Sequence, residues 1–365
     1  MEGPQPFDPW PPGPPGPATP RGPFAAPSPF APHRSPSGPA GGAGVAGPGP
    51  VSPLEAVVAV RAEIAKVVVD QDAAVSGLLA ALLVPGHVLL EGVPGVAKTL
   101  LARALAAAVD LRFTRVQFTP DLMPSDITGQ SIYEHATAGF RFREGPVFTN
   151  VLLADELNRT PPKTQAALLE AMEERQVSVD GAARPLPVPF IVLATQNPIE
   201  YEGTYPLPEA QLDRFLFKLT LLYPSEAAER EVLARTDAGL DPHDLGACGL
   251  GAVANAEVLG AARREAAAIT VDPVVQAYIV SLVRATRQAP SVALGVSTRG
   301  ATMLLKAAKA WAWLSGRSFV TPDEVQAVAR PALRHRIRIR PEAELEGVNA
   351  DAVIDGVLAS VPVPR

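Results

Sequence analysis

An α/β domain on a parallel sheet, followed by a small all-α domain and preceded by a disordered Pro/Gly-rich tail, is the architecture predicted by this 365-residue sequence. Three observations predict it. Up to about residue 225, apolar runs alternate with helical stretches, and each run is apolar throughout, as strands covered on both faces are. From about Ala227 onward the periodicity is helical alone. The first 50 residues hold 17 of the 40 prolines and 10 of the 29 glycines without any apolar period. Such a segment cannot bury enough surface to offset its ordering entropy. The expected boundaries are 1–52 for the tail, 53–225 for the core and 226–254 for a hinge region, then 255–345 for the helical domain and 346–365 for a C-terminal tail.

The elements follow in order. Val57, Val58, Ile64 and Val67, then Val75, Leu78, Leu79, Leu82 and Leu83, have helical spacing, and Pro85-Gly86 stops the second helix. Residues 87–91 read as a strand and Leu100–Val109 as a helix. Arg112–Phe118 is β-like. Residues 119–150 are polar, with a hairpin around His135–Phe142. Val147–Ala154 is an apolar run, Pro162–Arg175 a helix, and Val177–Val188 a hairpin turning at Asp180-Gly181. Phe190–Ala194 and Leu216–Leu222 complete the strands. Helices are expected near 227–236, 255–266, 273–287, 298–315 and 322–330, with a Gly-rich, hinge-like Asp237–Ala254.

Composition excludes several classes. The net charge is −6 and the one basic run is Arg334–Arg340, which argues against nucleic acid as the main partner. Those arginines alternate with Ile337 and Ile339, as on an exposed face packed on one side; they, His243 and His335 take structural readings. A single Cys248 excludes an internal disulfide and a cysteine metal cluster. No run reaches roughly 18 apolar residues, and the N-terminus lacks the charged-then-apolar order of a signal peptide, so a cytoplasmic chain with no membrane span is expected. Phe7, Trp10, Phe24 and Phe30 in the tail read as parts of a solvated spacer or as anchors for a partner.

The most informative stretch is Gly92-Val93-Pro94-Gly95-Val96-Ala97-Lys98-Thr99, between a buried strand and an apolar helix. Strand, glycine-bearing loop and Lys-Thr at a helix start suit a phosphate-binding loop, whose backbone N–H groups and helix dipole favour an anion. Lys98 would reach the β/γ-oxygens and Thr99 would ligate Mg²⁺. The pattern wants glycine before the lysine; Ala97 stands there, and it fits if its φ is negative. Downstream, the run Val151–Ala154 delivers Asp155 and Glu156 to the carboxyl end of a strand, the edge where open parallel sheets bind ligands. Asp155 suits the Mg²⁺ shell, and Glu156 suits polarising a water for attack on a γ-phosphate. The read-out is ATP or GTP hydrolysis. Asn197 ends another strand, as an orienting amide or as an Asn-Pro turn residue. Arg299 begins a helix, where a cation opposes the dipole and calls for an anion, either a phosphate or a surface carboxylate.

Leu90–Thr99 (LEGVPGVAKT), Asp121–Gly129 (DLMPSDITG), Ala154–Gln165 (ADELNRTPPKTQ), Ala194–Glu200 (ATQNPIE) and Gly203–Phe215 (GTYPLPEAQLDRF) together resemble the MoxR family of AAA+ ATPases, over about residues 54–345. The resemblance implies a homo-oligomeric ring, usually a hexamer, with ATP between subunits. It makes Asp155 the Walker B aspartate, Glu156 the catalytic glutamate and Asn197 sensor 1. Arg299 becomes the sensor 2 arginine reaching back from the lid, and Arg214 the arginine finger offered to a neighbour; an ion pair of Arg214 with Asp213 or Asp155 is the alternative. Gln71 would border the adenine, though Asp70 stands where related chains usually have glycine. The hairpin at Val177–Val188 and the insert near Ile127–Gly145 would face the ring's axial or substrate side. There Ile132, Tyr133, Phe140 and Phe142 would grip a client or pack on their own domain. The family further implies chaperone-like maturation of client proteins, including metal-cofactor insertion, with von Willebrand factor A domain partners. An ATP-gated scaffold remains an alternative. A nucleic-acid motor is disfavoured, since Val177–Pro189 carries only Asp180 and Arg184 as charges.

Overall fold

The computed structural model describes residues 52–135, 138–197, 204–242 and 244–364. The tail expectation with its aromatics, His243, and residues 198–200 and 203 of two motifs lie outside them. Helix α1 (Pro53–Ala65) starts at Ser52, whose hydroxyl and amide exchange bonds with Glu55 in a capping box. Then come α2 (Asp72–Leu83), β1 (His87–Glu91), α3 (Lys98–Ala108), β2 (Phe113–Gln117) and α4 (Pro124–Thr128). A hairpin of β3 (Gly129–Glu134) and β4 (Gly139–Glu144) leads to β5 (Val151–Asp155) and α5 (Pro162–Glu174). A second hairpin, β6 (Gln176–Val179) and β7 (Ala182–Pro185), leads to β8 (Ile191–Gln196), α6 (Glu209–Leu212) and β9 (Phe215–Thr220).

The sheet runs β2-β5-β8-β1-β9, with every pair parallel. Successive strand residues point to opposite faces, and here both faces are covered. Val88, Leu90, Val151, Leu153, Ile191 and Leu193 pack with α1–α3 and the C-terminal helices. Leu89, Leu152, Ala154, Val192 and Ala194 pack with α5 and the two hairpins. That is why these strands are apolar at consecutive positions, whereas edge strand β2 mixes polar residues. The short α4 within the polar 119–150 stretch was not foreseen. Pro124 at its start and Asp126, which bonds the Met123 amide at 2.8 Å, were its signals.

The C-terminal part contains α7 (Glu226–Asp237), α8 (Ala256–Ala268), β10 (Thr270–Val271), α9 (Pro273–Gln288), β11 (Val292–Leu294), α10 (Thr298–Leu314), β12 (Phe319–Val320), α11 (Pro322–Leu333), β13 (Arg338–Ile339), α12 (Pro341–Leu345) and α13 (Ala350–Ser360). The helical lid is as expected, with two short ladders added to it, β10 with β12 and β11 with β13. Runs of two or three residues are too short for a period-2 pattern to register. One boundary needs correction. Residues 346–365 are not a tail throughout: α13 is capped by Asn349 and buries Val353, Ile354 and Val357, a helical spacing visible in the sequence.

The Arg334–Arg340 run is the expected exposed face only in its second half, where exposed Arg338 and Arg340 alternate with buried Ile337 and half-buried Ile339. Arg336 is buried; it bonds the Asp213 carboxylate at 2.6 Å and the carbonyls of Phe215 at 2.6 Å, Leu216 at 3.3 Å and Ala332. His335 is buried against the Phe215 carbonyl at 3.0 Å. These two residues tie the helical domain to the start of β9. Among the described residues, no helix is long and apolar enough to cross a membrane.

Candidate nucleotide site

The loop Gly92–Ala97 leaves β1 at its carboxyl end and enters α3 at Lys98. Gly92 passes so close to Leu221 that a Cβ would lie 2.7 Å from its carbonyl oxygen, and Gly95 at the exposed tip has φ +86°; both positions require glycine. Val96 is buried and anchors the loop. Ala97 overturns the expectation of a negative φ. Its φ and ψ are 61° and 22°, left-handed helical values that favour glycine. The loop therefore keeps the geometry of the glycine pattern and carries the strain of a methyl group.

The start of α3 has no side-chain cap and no acidic residue in its first turn. Its leading N–H groups thus await an anion, which is the arrangement a polyphosphate fits. The Lys98 ammonium bends back onto the Gly92 carbonyl at 2.5 Å and the Val93 carbonyl at 3.3 Å, so a cation already sits in the loop's mouth. Thr99 lies beside it in the first turn. Gln71 donates to the Leu222 carbonyl at 3.2 Å, next to the Leu221 that touches Gly92, so the candidate base loop and phosphate loop meet at one end of β9. Asp70 explains its own departure from glycine. It has φ 58°, a conformation aspartate tolerates better than most, and its carboxylate accepts the Ser225 N–H at 2.7 Å, bracing the residue that caps α7.

Asp155 and Glu156 end β5 at the same edge. Asp155 is 7% exposed. Its Oδ1 accepts the Thr195 hydroxyl at 2.6 Å and its Oδ2 accepts Arg115 at 3.0 and 2.7 Å. Arg115 and Thr195 were missed in the sequence because only strand pairing brings them here. Two carboxylates would suit a divalent cation, and Arg115 adds positive charge beside Asp155. Glu156 has left-handed φ and ψ of 57° and 48°, with its amide donating to Thr195 Oγ1 at 2.8 Å. Gln117, also missed, donates to Glu156 Oε2 at 2.8 Å, and Arg159 pairs with the same oxygen at 3.1 Å. Asn197 is buried just past the carboxyl end of β8.

The two candidate arginines lie elsewhere. Arg214 immediately precedes β9, whose first residue pairs with His87, the first residue of β1. The phosphate loop follows the last residue of β1, four steps of about 3.3 Å away, or roughly 13 Å. Arg214 pairs with Glu173 at 2.7 Å, not with Asp213 or Asp155. Arg299, in the first turn of α10, reaches the same Glu173 at 2.8 Å. Glu173 follows Met172, whose carbonyl receives the His87 ring at 3.1 Å. Both arginines therefore sit at the opposite edge from their own phosphate loop, and Arg299 does not reach back to it as expected. On the hairpins, Phe142 packs on Phe148 and under Arg184, 3.9 Å from its centroid. Ile132, Tyr133 and Phe140 remain exposed, Phe140 by 78%. Cys248 bonds the Asp241 carbonyl at 3.3 Å, and no cluster of metal-ligating side chains occurs among the described residues.

The comparisons with known proteins bear on the family. Residues 87–217 match the ATPase family associated with various cellular activities (AAA), and 284–357 match the AAA lid domain. YeaC of Bacillus subtilis (strain 168) is 52% identical over 78% of this chain and 88% of its own. Chaperone MoxR1 of Mycobacterium tuberculosis is 43% identical over 83% of this chain and 81% of its own. A crystal structure from Cytophaga hutchinsonii superposes with a TM-score of 0.79 at 41% identity, covering 86% of this chain and 96% of the other. With a nucleotide-type loop, paired carboxylates at the same sheet edge and relatives of this extent, the chain belongs to the MoxR family of AAA+ ATPases.

Proposed function

We propose that this protein hydrolyses ATP at the interfaces of a homo-oligomeric ring, hexameric by family resemblance, and uses the cycle to remodel or mature client proteins in the cytoplasm. One observation carries the interface reading. Arg214 and Arg299 lie at the sheet edge opposite the phosphate loop of their own chain, so each suits a triphosphate held by a neighbour. Within one chain, the α3 amides and Lys98 take the phosphates and Gln71 borders the base. Asn197 orients the attacking water, and Glu156 polarises it once it leaves Gln117 and Arg159. The arginine of the adjoining subunit stabilises the charge that develops on the transferring phosphoryl group. Thr99 and Asp155 would hold Mg²⁺, which neutralises phosphate charge when bound.

Exposed Ile132, Tyr133 and Phe140 suit contact with an apolar client segment. Maturation of metal-containing complexes with von Willebrand factor A domain partners is part of this proposal through the family resemblance. The tethered Glu156 favours one second reading, a scaffold gated by ATP with little basal turnover. The test is steady-state ATPase activity against protein concentration for wild type, Glu156→Gln and Arg214→Ala. Specific activity should rise with concentration, both variants should be inactive, and Glu156→Gln should still bind ATP. Activity independent of concentration together with an active Arg214→Ala would overturn the interface. Binding without turnover in the wild type would favour the scaffold.

A further inference from the structure

Two arginines suited to phosphate end on one carboxylate. Glu173, in the last turn of α5, accepts Arg214 Nε on Oε2 at 2.7 Å and Arg299 Nη1 on Oε1 at 2.8 Å. Arg214 first, and then Arg299, holds its carboxyl below the usual carboxylate range. About a third of each side chain is exposed, between 29% and 38%, and ion pairs so open to water add little to stability. What the arrangement does add is direction. Two long cationic side chains would otherwise sample many rotamers and repel one another; here they share an anchor.

The anchor also joins two parts of the fold. Arg214 belongs to the core and Arg299 to the first turn of α10, where a cation opposes the helix dipole. Beside them Asp213 accepts the Ser297 hydroxyl, the cap of α10, at 3.0 Å, and Arg336 at 2.6 Å. The start of α10 is thus held to the Asp213-Arg214 segment by two neighbouring carboxylates. Each guanidinium carries five N–H donors, and Glu173 engages one on each.

We propose that Glu173 is a positioning residue that presents Arg214 and Arg299 as a single two-cation unit to the triphosphate of the adjoining subunit. The proposal rests on the interface reading above. Glu173 keeps one donor of each arginine, and the remaining donors face the neighbour's phosphate oxygens. Because the rotamers are set beforehand, the transition state gains the charge without ordering the side chains at that moment.

Subunit mixing tests it. Glu173→Gln alone should lose tenfold or more in kcat at saturating ATP. ATP affinity should be unchanged, because the pair acts on charge that develops only in the transition state. Mixed with Glu156→Gln, it should recover activity well above the sum of the two, since Glu156→Gln subunits bring an intact arginine pair to intact neighbouring sites. Recovery itself shows that the Glu173→Gln subunit is folded. Glu173→Asp keeps the charge but shortens the reach, and should fall between wild type and Glu173→Gln. An unchanged kcat in Glu173→Gln, or a loss that mixing does not restore, overturns the proposal. The mixture of Arg214→Ala with Glu156→Gln separates the two failures. Recovery there but not with Glu173→Gln sinks the Glu173 role alone. No recovery in either sinks the interface and the Glu173 role with it.

Discussion

Replacing Ala97 by glycine should stabilise the protein, because its backbone is already where glycine belongs. Ala97 has φ 61° and ψ 22°, and a side chain with a Cβ in that region costs about 1–2 kcal/mol. Removing the Cβ relieves this cost, while the greater freedom of glycine in the unfolded chain takes back about 0.4–1 kcal/mol. Midpoints leave a net gain of about 0.8 kcal/mol, near 2 °C in Tm for a domain of this size. Ala97→Val is the opposing arm: a β-branched residue is poorly tolerated at positive φ, so its Tm should fall by several degrees. Thermal unfolding of the three chains without nucleotide is the assay. The expected order is glycine, alanine, valine. A glycine variant less stable than wild type, or a valine variant equal to it, would mean that residue 97 is not held left-handed, and the argument from φ would fail.

Other groups give shorter tests. Gln117→Ala removes a bond to the Glu156 carboxylate that, as one to a charged group, is worth about 1.5–3 kcal/mol. Basal kcat should rise several-fold with KM for ATP unchanged; an unchanged or lower rate would show that Gln117 does not restrain Glu156. Asp70→Ala loses both a residue suited to φ 58° and the bond to the Ser225 amide. It should cost about 1–2 kcal/mol in urea unfolding, and Asp70→Gly should cost less; equal losses would dismiss the backbone argument. His87 accepts the Val192 N–H on Nδ1, so its Nε2 carries the proton given to Met172, and burial lowers its pKa to about 4. Burial likewise keeps His335 neutral. A histidine with a folded pKa below its unfolded value of 6.5 takes up a proton on unfolding, so stability falls as pH drops from about 6.5 toward 4. At pH 5, His87 alone accounts for about 2 kcal/mol lost relative to neutral pH. A Tm flat between pH 7 and 5, or an equal slope in His87→Gln, would contradict this.

Local chemistry was legible wherever the residues doing the work are neighbours in the chain. The strand runs at residues 87–91, Val151–Ala154 and Phe190–Ala194 show their burial on both faces directly, and the phosphate loop shows its strand-to-helix setting. Ala97 was visible as a departure, but its φ was not. Nothing in the sequence says whether a small residue replaced glycine because the backbone changed or in spite of the backbone staying the same. Asp70 is the same problem with a better solution, since its carboxylate finds a partner 155 residues downstream.

Arg115, Gln117 and Thr195 were illegible for a different reason. Each lies in a strand next to β5, and the register that sets Gln117 beside Asp155 is a property of the sheet. The two arginines make the point most sharply. A cation at the first turn of α10 had two readings, a phosphate or a surface carboxylate, and Arg214 had a pair with Asp213 or Asp155 as its alternative. One glutamate answers both, and it sits on a helix of its own, 41 residues before Arg214 and 126 before Arg299. The carboxylate reading of Arg299 is thus correct for the single chain, and it does not remove the phosphate reading. A partly exposed carboxylate that holds two arginines by one donor each leaves their charge available at the edge of the molecule. The same ion pairs that complete the subunit can therefore prepare it for a neighbour, and mixing Glu173→Gln with Glu156→Gln is where that distinction becomes a measured rate.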